Sequence, residues 1–170
     1  MSSNKIDVDV IGISAIQKHR VAASATRFYA GEPLEFDGTL SSGIASVNTV
    51  IQCADATPVI GTDWFVGISA QDAPVGTDVT VDADWIDVQE ILPGWTRLRS
   101  KAKTTTSVDT LSELIGVLWD VVLFDLTGGV FTIDQTGAAD TSGLTIKYGI
   151  WELGLLDVIV DPRAMRADIS

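Results

Sequence analysis

The chain has little of what most catalytic and metal sites are built from. Its 170 residues include one cysteine, Cys53, and one histidine, His19. A single cysteine excludes an intrachain disulfide framework and a cysteine-based zinc site, and it is typical of a reducing compartment. We expect Cys53 to be a small buried apolar residue. His19 lies in a Lys-His-Arg run with no nucleophile motif beside it, which favours a solvated histidine over a catalytic one.

Motifs for nucleotide binding and serine hydrolysis are also missing. The sequence has no P-loop, no Gly-x-Gly-x-x-Gly and no Gly-x-Ser-x-Gly. Carboxylates are dense between Asp78 and Glu90, but without EF-hand spacing we favour solvated strand edges over a calcium site. Paired carboxylates for glycoside hydrolysis are an alternative that sequence spacing does not test. We therefore expect no catalytic, cofactor-binding or metal-binding residues.

Positive charge and long apolar runs are scarce. Lys and Arg number 11 against 23 Asp and Glu, which gives a net charge of −12. Because nucleic-acid binding relies on cations that neutralise phosphates, this balance argues against a nucleic-acid partner. The longest apolar region, residues 114–126, is too short to span a bilayer, and the N-terminus lacks the apolar core of a secretory signal. We expect a soluble protein with no membrane partner.

The sequence is rich in short β-prone runs separated by turn signals. Residues 64–82 indicate a strand, a turn and a second strand, and this outline returns in residues 147–161. Within the first run, Gly67 indicates a bulge or a close backbone approach. Three short echoes suggest a doubled unit. They relate residues 34–37 to 122–125, 66–68 to 148–150, and 78–82 to 157–161.

These patterns predict an all-β fold, a sandwich or barrel built from two related β units. Residues 1–30 are expected to form an N-terminal arm or extended segment, and residues 163–170 a C-terminal tail. Residues 31–162 would form the β domain, in which an internal repeat relates residues 31–90 to residues 118–162.

Two local signals are more specific. Apolar residues at helical spacing predict one short helix within residues 107–119, where Thr110 and Glu113 match a capping box. Further on, two β-prone runs flank Gly128-Gly129, which predicts a hairpin.

Four cations alternate with smaller or apolar residues along one segment. They are Arg97, Arg99, Lys101 and Lys103. On a strand this spacing places all four on one face. A row of like charges is costly unless it meets solvent or opposite charge. The segment is therefore either a solvated strand face or a contact with an acidic neighbour.

Tryptophans are numerous for this length. They are Trp64, Trp85, Trp95, Trp119 and Trp151. Surface tryptophans on a β-sandwich would suggest a sugar-binding platform. Their large apolar area favours a role as core and interface anchors instead.

Parts of the sequence resemble the small β-rich decoration, or cement, proteins of tailed-phage heads. The resemblance is carried by FVGISAQDAPVGTDVTV at residues 65–81, by the hairpin VVLFDLTGGVFTID, and by the closing GLTIKYGIWELGLLDVIVDP. It covers roughly residues 31–162. It implies a compact β-sandwich or barrel on the outside of an icosahedral capsid, often at three-fold or quasi-three-fold positions. It implies no catalytic residue and no cofactor.

The resemblance also sets the expected partners, which are the major capsid protein and further copies of the chain, most simply as a homotrimer. The protein would be made in the host cytoplasm and would lie on the outer surface of the virion. The candidate capsid or subunit contacts are Arg97, Arg99, Lys101, Lys103, Trp64, Arg163 and Arg166. The alternative function is a β-sandwich module that binds carbohydrate or a cell surface through exposed tryptophans.

Overall fold

Strands dominate the computed structural model, which describes residues 7–22, 27–37, 49–73, 85–136 and 139–165. The first six strands are β1 Asp9–Ile11, β2 Ser14–Val21, β3 Pro33–Phe36, β4 Thr49–Gln52, β5 Phe65–Ser69 and β6 Trp85–Ile91. The others are β7 Arg97–Lys101, β8 Val121–Thr127, β9 Val130–Asp134, β10 Leu144–Ile150 and β11 Leu155–Val160. The described part of the chain has one α-helix, α1, at Leu111–Val117. The predicted all-β fold with one short helix is confirmed.

The first unit is a closed five-stranded barrel. Its strands follow the order β2-β4-β3-β5-β6, and β6 returns to β2. Strands β2 and β4 run parallel, and every other neighbouring pair is antiparallel. The barrel is filled by buried apolar side chains, namely Val21, Phe28, Leu34, Val50, Val66, Ala73, Ile86 and Val88.

The second unit is a six-stranded sheet in the order β1-β7-β11-β10-β8-β9. This sheet curls back on itself, because Ala102 at the end of β7 makes a parallel bridge to Ile133 of β9. Strands β7 to β11 therefore form a second ring, with β1 added alongside β7. Phe124, Phe131 and Leu156 lie in its buried interior.

The two rings have the same connectivity. When the strands of each ring are numbered one to five along the chain, both follow the spatial order one-three-two-four-five, with strands one and three parallel. The residue registers correspond as well. The pair Val21–Val50 of the first ring corresponds to Ala102–Ile133 of the second, and Phe36–Val50 corresponds to Phe124–Ile133. Leu34–Gly67 corresponds to Val122–Leu144, and Gly67–Glu90 corresponds to Leu144–Val160. Lys18–Asp87 corresponds to Arg99–Asp157. The first ring is a closed barrel, and the second is a sheet that the Ala102–Ile133 bridge closes; because their positions are equivalent, we call them the first and second barrel.

Of the two sequence echoes that lie within the described residues, one falls on equivalent positions. Phe36 and Phe124 occupy the same place in their rings. Gly67 corresponds to Leu144 and not to Gly149, which lies further along β10. The third echo cannot be placed, since residues 78–82 lie outside the described residues. The structural repeat also begins earlier than residue 31, because β2 opens the first ring and β7 opens the second.

Much of the segment expected to form an arm belongs to the sheets. Strand β1 pairs with β7, and β2 pairs with β6 over seven residue pairs. Val8, just before β1, and Val21, at the end of β2, are buried and fix this segment to the core. At the other end, Ala164 is buried and Met165 bridges Phe65, so the start of the predicted tail packs against the barrel.

Backbone and aromatic contacts join the two units. Phe124 of β8 exchanges backbone hydrogen bonds with the 56–57 segment, and its ring centroid lies 6.2 Å from that of Phe65. The amide of Gly143 donates to the carbonyl of Pro58 at 2.8 Å. The two barrels therefore share an apolar core.

Both local signals of the sequence are confirmed. At the start of α1 the Thr110 side chain accepts from the Glu113 amide, and the Glu113 carboxylate accepts from the Thr110 amide. Gly128 and Gly129 connect β8 to β9 with φ angles of 63° and 76°, the left-handed geometry of a tight hairpin turn.

Candidate functional site

The row of cations lies on one face of β7, as the alternation predicted. Leu98, Ser100 and Ala102 point to the buried side of the strand. Arg97 and Arg99 lie on the opposite face, and Lys101 and Lys103 are exposed. Strands β1 and β11 flank β7, so these cations face neighbouring strands of the same sheet.

Asp157 on β11 neutralises two of the four cations. Its side chain is 0% exposed. Arg99 donates from Nε to Oδ1 at 2.6 Å and from Nη2 to Oδ2 at 3.0 Å, while Arg97 Nη1 lies 3.2 Å from Oδ2. The hydrogen bonds to Asp157 raise the pKa of Arg99. This fork geometry is the strongest form of an arginine–carboxylate pair.

Arg99 sits in a line of polar side chains that crosses four strands. Asp9 of β1 is its register partner on one side and Asp157 of β11 on the other, and Asp157 in turn pairs with Tyr148 of β10. The Arg97 guanidinium lies 5.8 Å from the centre of the Tyr148 ring. The opposite charges and hydrogen bonds on this face therefore compensate for the free-energy cost of burying the Asp157 carboxylate.

Lys103 is held by two carboxylates. Its Nζ lies 2.7 Å from Asp125 Oδ1 and 2.8 Å from Asp134 Oδ2. Burial raises the pKa of Asp134, but hydrogen bonds from Lys103 and Thr136 outweigh it and lower that pKa to about 2. The same contacts raise the pKa of Lys103. Three of the four cations in this row, Arg97, Arg99 and Lys103, therefore pair with carboxylates of the same chain. Lys101 has no ion pair with a described residue.

A small cavity of about 100 Å³ lies beside Lys103, and three carboxylates line it: Asp55, Asp125 and Asp134. Paired carboxylates are what a glycoside hydrolase needs, but one of them must serve as an acid with a raised pKa. Here Lys103 bridges two of the three, and the pKa of Asp134 is lowered. Ligand sites usually measure about 300 Å³ or more. The geometry therefore favours an ion-pair cluster over a hydrolase site.

The remaining candidate contacts are scattered. Trp64 is half-buried before β5, and its carbonyl accepts from the Phe36 amide. Arg163 is exposed and pairs with Asp161 at 2.8 Å. Arg166 lies outside the described residues. Neither Trp64 nor Arg163 contacts the row of cations among the described hydrogen bonds and ion pairs.

The tryptophans were expected to be core and interface anchors, and three of the five do not lie in the core. Trp85, Trp95 and Trp119 are exposed, and Trp95 is 80% exposed. The guanidinium of Arg20 lies over Trp85, and Lys147 Nζ lies 3.5 Å from the centre of the Trp119 ring. Trp85 precedes buried Ile86 on β6, so strand alternation turns its ring outward, whereas Trp95 and Trp119 lie in turns between elements. Phenylalanines fill the core instead.

His19 is not solvated as expected, because its side chain is only 12% exposed. It lies at one end of the first barrel, with Nε2 2.6 Å from Glu90 Oε1 and its ring at the edge of Phe36. The prediction for Cys53 is confirmed, since it is buried and burial raises its pKa.

Glu35 is a buried acid that the sequence did not reveal. It lies on β3 at a shift in the register between β3 and β5. Its Oε2 has no hydrogen-bond partner among the described residues. Burial, with the nearby charge of Asp63, raises its pKa to about 7. An acidic residue inside the run Pro33–Phe36, where its neighbours are apolar, was the available signal.

This pKa predicts a pH-dependent stability. The ordinary pKa of Glu35 is 4.5, so the fold favours its protonated form and loses stability as the pH rises from 4.5 to about 7. Allowing for partial solvent contact, we expect Glu35→Gln to raise the free energy of unfolding by about 1–2 kcal/mol at pH 8 and to leave it unchanged at pH 4. Urea unfolding at both pH values measures this. Glu152→Gln, at an exposed position, is the control, and an equal effect of Glu35→Gln at both pH values contradicts the assignment.

No protein-family model matches the chain, and a search among curated proteins finds no significant match. Within the described ranges, no helix is long and apolar enough to cross a membrane. The same ranges contain no cluster of three or more histidine, cysteine, aspartate or glutamate side chains placed to hold a metal ion.

Proposed function

We propose that the protein is a virion structural protein, a decoration or cement protein that binds the outside of an icosahedral phage head and stabilises it. Its partners would be the major capsid protein and further copies of itself, as a homotrimer, after synthesis in the host cytoplasm. The observation that carries the proposal is a contrast between the charged and the apolar side chains at the surface. Charges that resembled a site pair within the chain, while large apolar side chains remain exposed.

The exposed apolar side chains occur at both units. Ile13, Ile16 and Trp95 lie beside the first barrel, and Trp119 and Tyr148 lie on the second. Exposed apolar groups of this size mark interaction surfaces when they cluster. Two barrels in tandem give one chain two such surfaces, which suits a protein that bridges neighbouring subunits of a shell.

The charge of the chain fits the same role. A net charge of −12 keeps the free protein soluble despite its exposed tryptophans. A protein that binds only the assembled shell stabilises the shell by mass action, because the bound protein must be released before the shell can disassemble. Neither step needs a cofactor or a reaction.

Mixing experiments test the proposal. Empty expanded heads, assembled from the major capsid protein encoded nearest to this chain's gene, are incubated with purified protein and sedimented. We expect saturable co-sedimentation and a rise of several degrees in the melting temperature of the shell. Unexpanded heads serve as the comparison. Absence of both binding and stabilisation contradicts the proposal.

Exposure of Trp95 favours one alternative, a carbohydrate-binding module. A ring that is 80% exposed is available for stacking on a sugar. Binding to a glycan array that is lost in Trp95→Ala, together with no binding to heads, would select this alternative.

A further inference from the structure

Glu35 lies on the face of the first barrel that meets the second. Its neighbours on β3, Leu34 and Phe36, pack in the interior of the first barrel, so strand alternation turns Glu35 outward. Its register partners are Ile51 on β4 and Phe65 on β5, and Phe65 belongs to the apolar core that the two barrels share. The Glu35 carboxyl group is therefore buried at the junction between the barrels.

Both ends of one segment meet at this acid. The segment, residues 53–63, follows β4 and leads into β5, and we call it the connector. At its start, the Cys53 thiol hydrogen-bonds to the Glu35 carboxyl group, and at its end the Asp63 carboxylate lies close enough to repel a charge on Glu35. The position of the connector on the first barrel therefore depends on the state of Glu35.

The middle of the connector pairs with the second barrel. The Ala56 amide donates to the Phe124 carbonyl at 3.0 Å, and the Ile60 amide donates to the Thr141 carbonyl at 2.8 Å. These are backbone hydrogen bonds, so they depend on where the connector lies and not on its side chains. A displacement of the connector on the first barrel would therefore act on the contact between the barrels.

An ionised Glu35 has little to stabilise it at this place. Its Oε2 has no hydrogen-bond partner within the described part of the chain, and no described lysine or arginine forms an ion pair with it. The register between β3 and β5 also shifts beside it, which interrupts the strand pairing where the charge would form. A buried charge without a partner is costly, and a local opening that admits water relieves that cost.

We propose that ionisation of Glu35 controls the contact between the two barrels. While the carboxyl group is protonated, the ends of the connector stay packed against β3 and hold the barrels together. Ionisation draws water to the junction and loosens the connector from the first barrel. Burial, together with the charge of Asp63, raises the pKa of Glu35 from 4.5 to about 7, so the junction is closed at acidic pH and opens more often as the pH rises through this range. This behaviour belongs to the chain alone and does not depend on the shell.

Cys53 reports on the junction, because it is the only cysteine and lies buried at one end of the connector. Its rate of labelling by a maleimide, divided by the rate for a short cysteine peptide at the same pH, measures how often the junction opens. We expect this ratio to rise at least about tenfold from about pH 5 to about pH 8 in the wild type. Glu35→Gln cannot ionise, so its ratio should stay at the low wild-type value of about pH 5.

Glu32→Gln is the matched control. It makes the same change three residues earlier, where the carboxylate accepts hydrogen bonds from the Tyr29 amide and the Gln52 side chain. Because this variant keeps Glu35, it should keep the wild-type rise. A wild type without the rise, or a Glu35→Gln protein with the full rise, overturns the proposal.

Hydrogen exchange of the wild type distinguishes a local opening from global unfolding and needs no substitution. At about pH 8, the Cys53 and Ala56 amides should open at least about tenfold more often than the Lys103 amide, which donates to the Ile133 carbonyl within the second barrel. If all three amides open only with the free energy of global unfolding that urea measures, the junction has no opening of its own and the proposal is overturned. Binding to heads is measured separately, so failure of either proposal leaves the other standing.

Discussion

Replacing Asp157 with alanine is expected to lower the free energy of unfolding by about 3 kcal/mol. Asp157 is fully buried and accepts hydrogen bonds from Arg99 while pairing with Arg97. Its removal leaves two guanidinium groups packed against β11 without the carboxylate that they pair with, on a face where Arg99 is half-buried. Urea unfolding of the wild type and of Asp157→Ala measures the difference directly.

The first barrel provides a matched control. Asp87 occupies the position equivalent to Asp157, and its pair with Lys18 has a similar distance of 2.8 Å. This pair is open to solvent on both sides, so Asp87→Ala should cost less than about 1 kcal/mol. Equal losses for the two variants would contradict the view that burial of Asp157 distinguishes the two sites.

Adding a methyl group at Gly67 is expected to be as damaging. A Cβ there would lie 2.3 Å from the carbonyl oxygen of Gln89 on β6, and backbone cannot move aside as a side chain can. We expect Gly67→Ala to destabilise by about 3 kcal/mol through forced separation of β5 and β6. For a protein of this size, that loss lowers the melting temperature by roughly 6–12 °C. Differential scanning calorimetry measures the shift.

Gly116 is the control for that substitution. It lies in α1, and a Cβ at this position would meet no atom within 4 Å. Alanine has the higher helix propensity, so Gly116→Ala should leave the melting temperature unchanged or raise it slightly. A Gly67→Ala protein that melts within 2 °C of the wild type would show that β5 and β6 do not approach so closely.

Local features of the fold could be predicted because their signals are local. The capping box at Thr110 and the glycine turn at Gly128-Gly129 each depend on a few neighbouring residues. Gly67 signalled a close backbone approach, but not that its partner is Gln89 on β6. Ring order could not be predicted in the same way. Strand β2 pairs with β6, which lies about seventy residues further along the chain, and apolar alternation does not say which strands become neighbours.

The sequence predicted that the cations share one face of a strand, but not which carboxylates they pair with. Alternation correctly placed Arg97 and Arg99 on one side of a strand, since the period of two is a property of the backbone. No sequence signal singled out Asp157, because its burial depends on β7 lying beside β11. The second echo matched Gly149 to Gly67 in error, because a short β-prone run around a glycine does not fix the register of a strand, and the equivalent of Gly67 is Leu144.

Composition misled most about the tryptophans and the histidine. Large apolar area usually predicts burial, yet Trp95 and Trp119 are exposed, and His19 is nearly buried although cations flank it in sequence. The two tryptophans lie in turns outside the strands, and His19 lies on β2, where the pairing of strands decides burial. The same exposed rings support the proposal that this protein works by contact with other proteins.

Electron cryomicroscopy of heads mixed with the protein tests that proposal most directly. We predict added density on the outer surface of the expanded shell, at symmetry-related positions, into which the tandem of two barrels fits with its exposed tryptophans at contacts. Heads that stay bare at saturating protein concentration, or density that appears only inside the shell, would contradict it.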